Sequence, residues 1–315
     1  MQNYLHLRLL LLGRLLREVG WWRLVLVLPI LALALMQGLV MAAGHPLGRW
    51  AVPVVVAASV LSAHRRRDDW QFLATAAPGF RVWLAVEYAV ASLPVGLLLL
   101  VLRAWGAAAL TLALVVLVGW APPARAERAS RQRIRSPFRS EAFEWVSGVR
   151  ASYGLLLWPV LLAGAVWQRA SPLGPIAALL VWLLVVAGYY STPEPVPMLL
   201  LAARSPKQFL RRRLGLSLGY AAVTALPVGL LLGWGPAGWV GAGAALLFWL
   251  LLLGMVVLAK YAFYPNATHV RTTQGLVLAL GLLGAWHPAY PPVMLVILGG
   301  LIWQSCRRLR EIIRR

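Results

Sequence analysis

Residues 24–40 read LVLVLPILALALMQGLV and residues 246–259 read LLFWLLLLGMVVLA, and neither stretch contains a charged side chain. Similar runs recur along the whole chain of 315 residues, which is 61% hydrophobic and only 12% charged. A soluble protein carries about 25% charged residues. A globular core cannot hide this much apolar surface, so the composition points to the bilayer as solvent. In lipid every backbone polar group must be paired internally, which leaves helices or closed barrels. Barrels are built from short alternating strands between turns. The long unbroken runs here exclude them, and the expected class is an all-α, polytopic transmembrane helical bundle.

A span needs about 20 apolar residues, or about 17 at the short end. Spans are expected near 22–43, 48–63, 81–102, 104–121, 151–168, 173–190, 212–232, 236–259, 271–287 and 289–305. The pair 271–305 can also be read as a re-entrant hairpin. Alternate connections hold nearly all the basic residues: Arg8, Arg14, Arg17 and Arg23; 65–67 and Arg81; 125–150; 204–213; Lys260 and Arg271; and 307–315. The other connections hold only Arg49, Arg103 and Arg169. The positive-inside rule then places the first set, and both chain ends, in the cytoplasm. The net charge of +21 is thereby explained by topology, and no nucleic-acid partner is expected. Between 1 and 20 no cleavable signal is visible. Leu5, Leu9, Leu12 and Leu16 instead mark an amphipathic helix able to lie on anionic lipid. The remainder, 21–315, is expected to be the transmembrane domain, with cytoplasmic loops 64–80, 122–150, 191–211 and 260–270.

Three of these loops carry helix signals. Residues 64–79 read HRRRDDWQFLATAAPG. Asp68 or Asp69 can cap a short helix whose Trp70, Leu73 and Ala77 share a face. In the second loop Ser136 and Pro137 suit a helix start, and Phe138, Ala142, Trp145 and Val149 form a stripe. In the third, Pro193, Pro195 and Pro197 forbid a helix, Met198 to Ala203 can form a short one, and Ser205-Pro206 restarts the chain. LPVGLLL occurs twice, at 93–99 and 226–232. A parallel internal repeat would make Pro94 and Pro227 equivalent bends and candidate pathway residues.

Chemistry is sparse. There is no H-E-x-x-H, G-x-S-x-G or P-loop pattern. The five histidines show no ligand spacing, the single Cys306 cannot form an internal disulfide, and no residue set suggests a metal or cofactor. Glu87 is the only acid inside an expected span, so it is either a pathway residue or the partner of a loop arginine.

Residues 65–99, RRRDDWQFLATAAPGFRVWLAVEYAVASLPVGLLL, resemble permease subunits of bacterial ATP-binding-cassette exporters of the type-2 and EcsB-like groups. Arg67, Asp69, Phe72 and Leu73 match the R-x-D-x-x-F-L of their basic loop, and Pro78 and Glu87 follow as in those proteins. Residues 192–210, with TPEP and SPKQFL, look like the second half of such chains. Typical type-2 permeases have about six spans, fewer than are expected here. The resemblance implies a bacterial inner-membrane protein that performs no hydrolysis itself and binds a separate cytoplasmic ATPase. A second permease copy is compatible with it. Asp68, Asp69, Trp70, Phe72 and Leu73 are the expected coupling contact, with Trp145, Lys207 and Phe209 secondary. Two other classes remain open. One is a non-catalytic membrane scaffold or assembly protein. The other is a lipid-modifying enzyme using His64, Asp68, Asp69 and Glu87.

Overall fold

The computed structural model describes residues 2–46, 48–65, 67, 69–76, 79–122, 141–151, 154–196, 205–284 and 290–313. Among the described residues every regular element is a helix. The chain divides into two compact units, Met1–Ile134 and Arg135–Arg315.

The first unit contains α1 (Gln2–Val19), α2 (Trp21–Gly44), α3 (Gly48–Arg65), α4 (Trp70–Ala76), α5 (Phe80–Val101) and α6 (Trp105–Val118). The second contains α7 (Phe143–Ala151), α8 (Gly154–Trp167), α9 (Leu173–Tyr189), α10 (Pro206–Trp234), α11 (Gly238–Ala262), α12 (Ala267–Gly284) and α13 (Tyr290–Ile313). Each of the ten stretches expected to span coincides with one of these helices. Among the described residues four are long and apolar enough to cross a membrane: Val27–Gly44 within α2, and α5, α10 and α11. The 25 residues of α11 reach about 37 Å, more than the ~30 Å of a hydrocarbon core. Helices α6 and α9, and Leu156–Trp167 within α8, are apolar but shorter.

Local sequence explains several boundaries. Ser205 caps α10 by accepting a 3.3 Å hydrogen bond from the Gln208 N–H, and Pro206 occupies the first turn, where its missing N–H is harmless. The short helix expected after the two aspartates is α4. Ala142, Trp145 and Val149, the stripe of the second loop, are all buried at α7. Phe138, Ser136, Asp68, Ala77 and the 198–203 segment lie outside the described residues.

In the first unit α6 packs on α3 and α5, and α2 packs on α3 and α5. In the second, α11 is central, packed by α9, α10, α12 and α13. That explains why Leu252, Leu253, Met255, Val256, Val257, Leu258 and Ala259 are all buried in α11 rather than one stripe of it. Polar side chains join neighbouring helices where no water competes. Trp249 Nε1 donates to the Leu179 carbonyl at 2.7 Å, Trp158 Nε1 to the Thr224 carbonyl at 2.9 Å, and Ser305 Oγ to the Leu258 carbonyl at 2.9 Å.

Close approach of α5 and α6 depends on Gly119. A Cβ there would stand 3.0 Å from both the Cβ and the backbone N of Ala85, which cannot yield without moving α5. Gly119→Val is expected to cost about 1–3 kcal/mol by overpacking. Thermal unfolding of the purified protein in detergent measures it, and an unchanged midpoint would show that the two helices are not in register here.

Candidate functional site

A polar cluster joins α1, the 64–69 loop and α5. Residues of α1 four apart, Tyr4 and Arg8, fall on one face and turn toward the loop. Tyr4 OH donates to Glu87 Oε2 and accepts from Arg8 Nε at 3.1 Å and Arg67 Nη2 at 2.9 Å. Arg67 donates to Asp69 Oδ1 at 3.0 Å, to Glu87 Oε2 at 3.1 Å and to Tyr88 OH at 3.0 Å. Arg8 Nη2 pairs with Asp69 Oδ2, and its Nε lies 3.5 Å from Glu87 Oε2. Two cations therefore meet two anions, and the arginine side chain of Arg67 is only 11% exposed. Burial works against its charge, but Tyr88, Asp69, Glu87 and Tyr4 hold the guanidinium protonated above its ordinary value. Burial, then the bond to Glu87, pushes the Tyr4 phenol well up.

His64, at the end of α3, extends the cluster. Its Nε2 donates to the Ala121 carbonyl at 3.1 Å, and in the neutral ring Nδ1 then accepts from Tyr88 OH at 2.8 Å. The Trp70 ring sits edge-on between His64, at 5.0 Å, and Phe80, at 4.9 Å. Leu73 is buried with Tyr4, Phe80, Leu84 and Tyr88. Helix α4 is thus tied to α3 and α5 through one face, while Phe72 on the other is 67% exposed. An open recess of about 500 Å³ beside the cluster is lined by Arg8, Leu11, Arg67, Asp69 and Glu87 among others.

The second unit holds a deeper cluster. Lys260, 1% exposed near the end of α11, donates to Glu194 Oε1 at 2.9 Å and Glu144 Oε1 at 3.4 Å. Arg213 of α10 lies 3.2 Å from Glu144 Oε2 and 3.8 Å from Glu194 Oε2. Tyr261 OH reaches both carboxylates, at 3.4 and 3.3 Å, and Tyr264 OH donates to the Glu194 carbonyl at 2.6 Å. Burial raises the Glu144 carboxyl above its usual range despite the nearby Lys260 and Arg213. Burial acts the same way on Glu194, but Lys260 and its hydrogen bonds outweigh it and hold that carboxyl below the range.

The structure brings Asp69, Trp70, Leu73 and Glu87 together in the first cluster. The Asp69 carboxylate is taken by Arg8 and Arg67, and Glu87 is paired with Arg67 and lies 3.5 Å from Arg8. Asp68 lies outside the described residues. Trp145 and Phe209 are buried in the core of the second unit, with the Phe209 ring 5.5 Å from Tyr261. Lys207 is exposed on the first turn of α10. Pro94 and Pro227 sit inside continuous helices, Pro94 on an exposed side.

Sequence reading passed over Tyr4 and Arg8 as cluster members, and over the Glu144–Glu194–Lys260–Arg213 network. One signal was present. With nine acids against 30 basic residues, each acid has many suitors. Asp69, Glu87, Glu141, Glu144, Glu194 and Glu311 are all ion-paired. The chain matches no family model, no curated protein and no solved structure.

Proposed function

We propose that this chain is the membrane-spanning permease subunit of an ATP-driven exporter in a bacterial inner membrane, and that a separate ATP-binding-cassette ATPase engages the 64–80 loop. It crosses the bilayer about ten times with both ends cytoplasmic. The observation that carries this reading is the outward Phe72 on a short helix whose base is joined, through Arg67 and Glu87, to a helix able to span. A push on α4 would be passed to α5 through those bonds.

The placement of the span ends is supported by aromatic side chains, and the orientation by charge. Trp50 and Trp105 in the first unit, and Trp167, Trp234 and Trp239 in the second, are exposed at helix ends assigned to the non-cytoplasmic side. Indoles collect at such interfaces. The parallel repeat is supported by the order of elements in each unit. A leading helix (α1 or α7), a helix pair (α2–α3 or α8–α9), a polar loop and a second pair (α5–α6 or α10–α11) recur. In each, the leading helix, loop and second pair share an ion cluster. The glycines of the two LPVGLLL copies both face the next helix, Gly96 toward Leu112 and Gly229 toward Leu246.

A gentle pull-down of the tagged protein from native membranes tests this reading. A stoichiometric ATP-binding-cassette ATPase is expected. Phe72→Asp should abolish its capture while changing stability by less than about 0.5 kcal/mol, as for other exposed positions. Recovery of other membrane partners with no ATPase would favour the second reading, a non-catalytic scaffold. The ion-pair clusters, which join the helices within each unit, suit that reading too.

A further inference from the structure

A second recess in the first unit, of about 200 Å³, lies where α2 and α5 end and α3 and α6 begin. It is lined by Arg49, Trp50, Arg103, Trp105 and Gly106 among others. Two arginine residues thus line one small space. Among the described residues of this unit no carboxylate pairs with either of them. The chain's nine acids stand at 18, 68, 69, 87, 127, 141, 144, 194 and 311. In this unit Glu87 is about 20 Å further down α5, and Glu18 lies at the other end of α2.

Three further features suit an anion. Arg103 has φ of +59°, a conformation that costs a residue with a Cβ and that glycine adopts freely. At that position glycine would close α5 more cheaply, so the backbone carries strain in order to place an arginine. The residue before α6, Ala104, offers no side-chain cap, which leaves the first N–H groups of that helix for another acceptor. Gly106 lets the Trp50 ring lie against that first turn, where a Cβ would come within 3.0 Å of it, and the Arg49 guanidinium rests 5.9 Å from the same ring. Both α2 and α5 are long and apolar enough to cross a membrane, and in such a crossing their shared end would lie at a bilayer interface.

We propose that this recess binds one phosphate group, that of a membrane phospholipid, between Arg49 and Arg103, with Trp50 and Trp105 against the glycerol and upper acyl chain. Indole and guanidinium side by side match a headgroup that is anionic above and apolar below. The site does not depend on any ATPase; it rests on α2 and α5 crossing the bilayer.

The test uses the full chain in phosphatidylcholine nanodiscs doped with phosphatidylglycerol, followed by delipidation and native mass spectrometry of the retained lipid. Wild type is expected to keep one phosphatidylglycerol. Arg49→Ala/Arg103→Ala should lower its apparent affinity roughly tenfold to thirtyfold, while Arg169→Ala, a basic residue of the other unit, should not. Arg49→Lys/Arg103→Lys, which keeps charge and loses the fork, should fall between them and guards against a folding artefact. Equal retention by wild type and the double alanine variant would overturn the proposal. Displacement of the bound lipid by millimolar inorganic phosphate would overturn the lipid assignment and identify a free-anion site; resistance to it supports the lipid.

Discussion

Lys260→Met is expected to lower the stability of the second unit by about 3–5 kcal/mol, the cost of leaving buried carboxylates without their cation. Lys260 is 1% exposed and Glu144 and Glu194 are 4% and 3% exposed, so water cannot take its place. Among the described residues Arg213 would remain as the one cation for both acids, 3.2 Å from Glu144 and 3.8 Å from Glu194. Removing the charges together should behave differently. In Glu194→Gln/Lys260→Met most of the loss should return, because one cation and one anion leave together while Arg213 still holds Glu144 at 3.2 Å. Equilibrium unfolding in mixed micelles reads both variants. A loss below about 1 kcal/mol for Lys260→Met would mean that the lysine is hydrated in the folded protein and the cluster is not closed.

The second large effect is expected at Arg67. Its guanidinium serves Tyr4, Asp69, Glu87 and Tyr88 at once. Arg67→Met should cost about 2–4 kcal/mol, less than a fully buried pair because Asp69 and Glu87 are 35% and 26% exposed and keep contact with Arg8. The more telling readout is local. Hydrogen exchange across 69–76 should accelerate, since α4 loses its polar tie to α5 and keeps only the Trp70 and Leu73 contacts, while α11 in the other unit stays protected. Glu87→Gln keeps the shape and an acceptor oxygen and should show a smaller version of the same change. Uniform exchange in α4 of wild type and Arg67→Met would remove the mechanical link on which the coupling proposal depends.

Much of the helical layout was legible before any coordinates. Apolar runs located α2, α5, α10 and α11, and Ser205-Pro206 marked the start of α10, because capping and the i, i+4 spacing are local properties. The Trp145 stripe was legible as a stripe but not as to its use. An aromatic face on a loop helix looks the same whether it meets a partner or its own core, and here it is buried. Trp70 and Leu73 divide from Phe72 for the same reason: their helix face was readable, and what covers it was not.

The sequence by itself determines that the chain is helical, that several of its helices suit a bilayer, and that charge, Glu87 apart, is kept out of the expected span interiors. These follow from composition and periodicity, which act within a few residues. Only the tertiary structure decided which charges meet. Tyr4 reaches Glu87 across 83 positions and Lys260 reaches Glu144 across 116. No local pattern encodes such pairs. They form because a scarce acid brought into a low-dielectric interior must find a cation there or lose its charge, and the packing of the helices alone determines which cation that is.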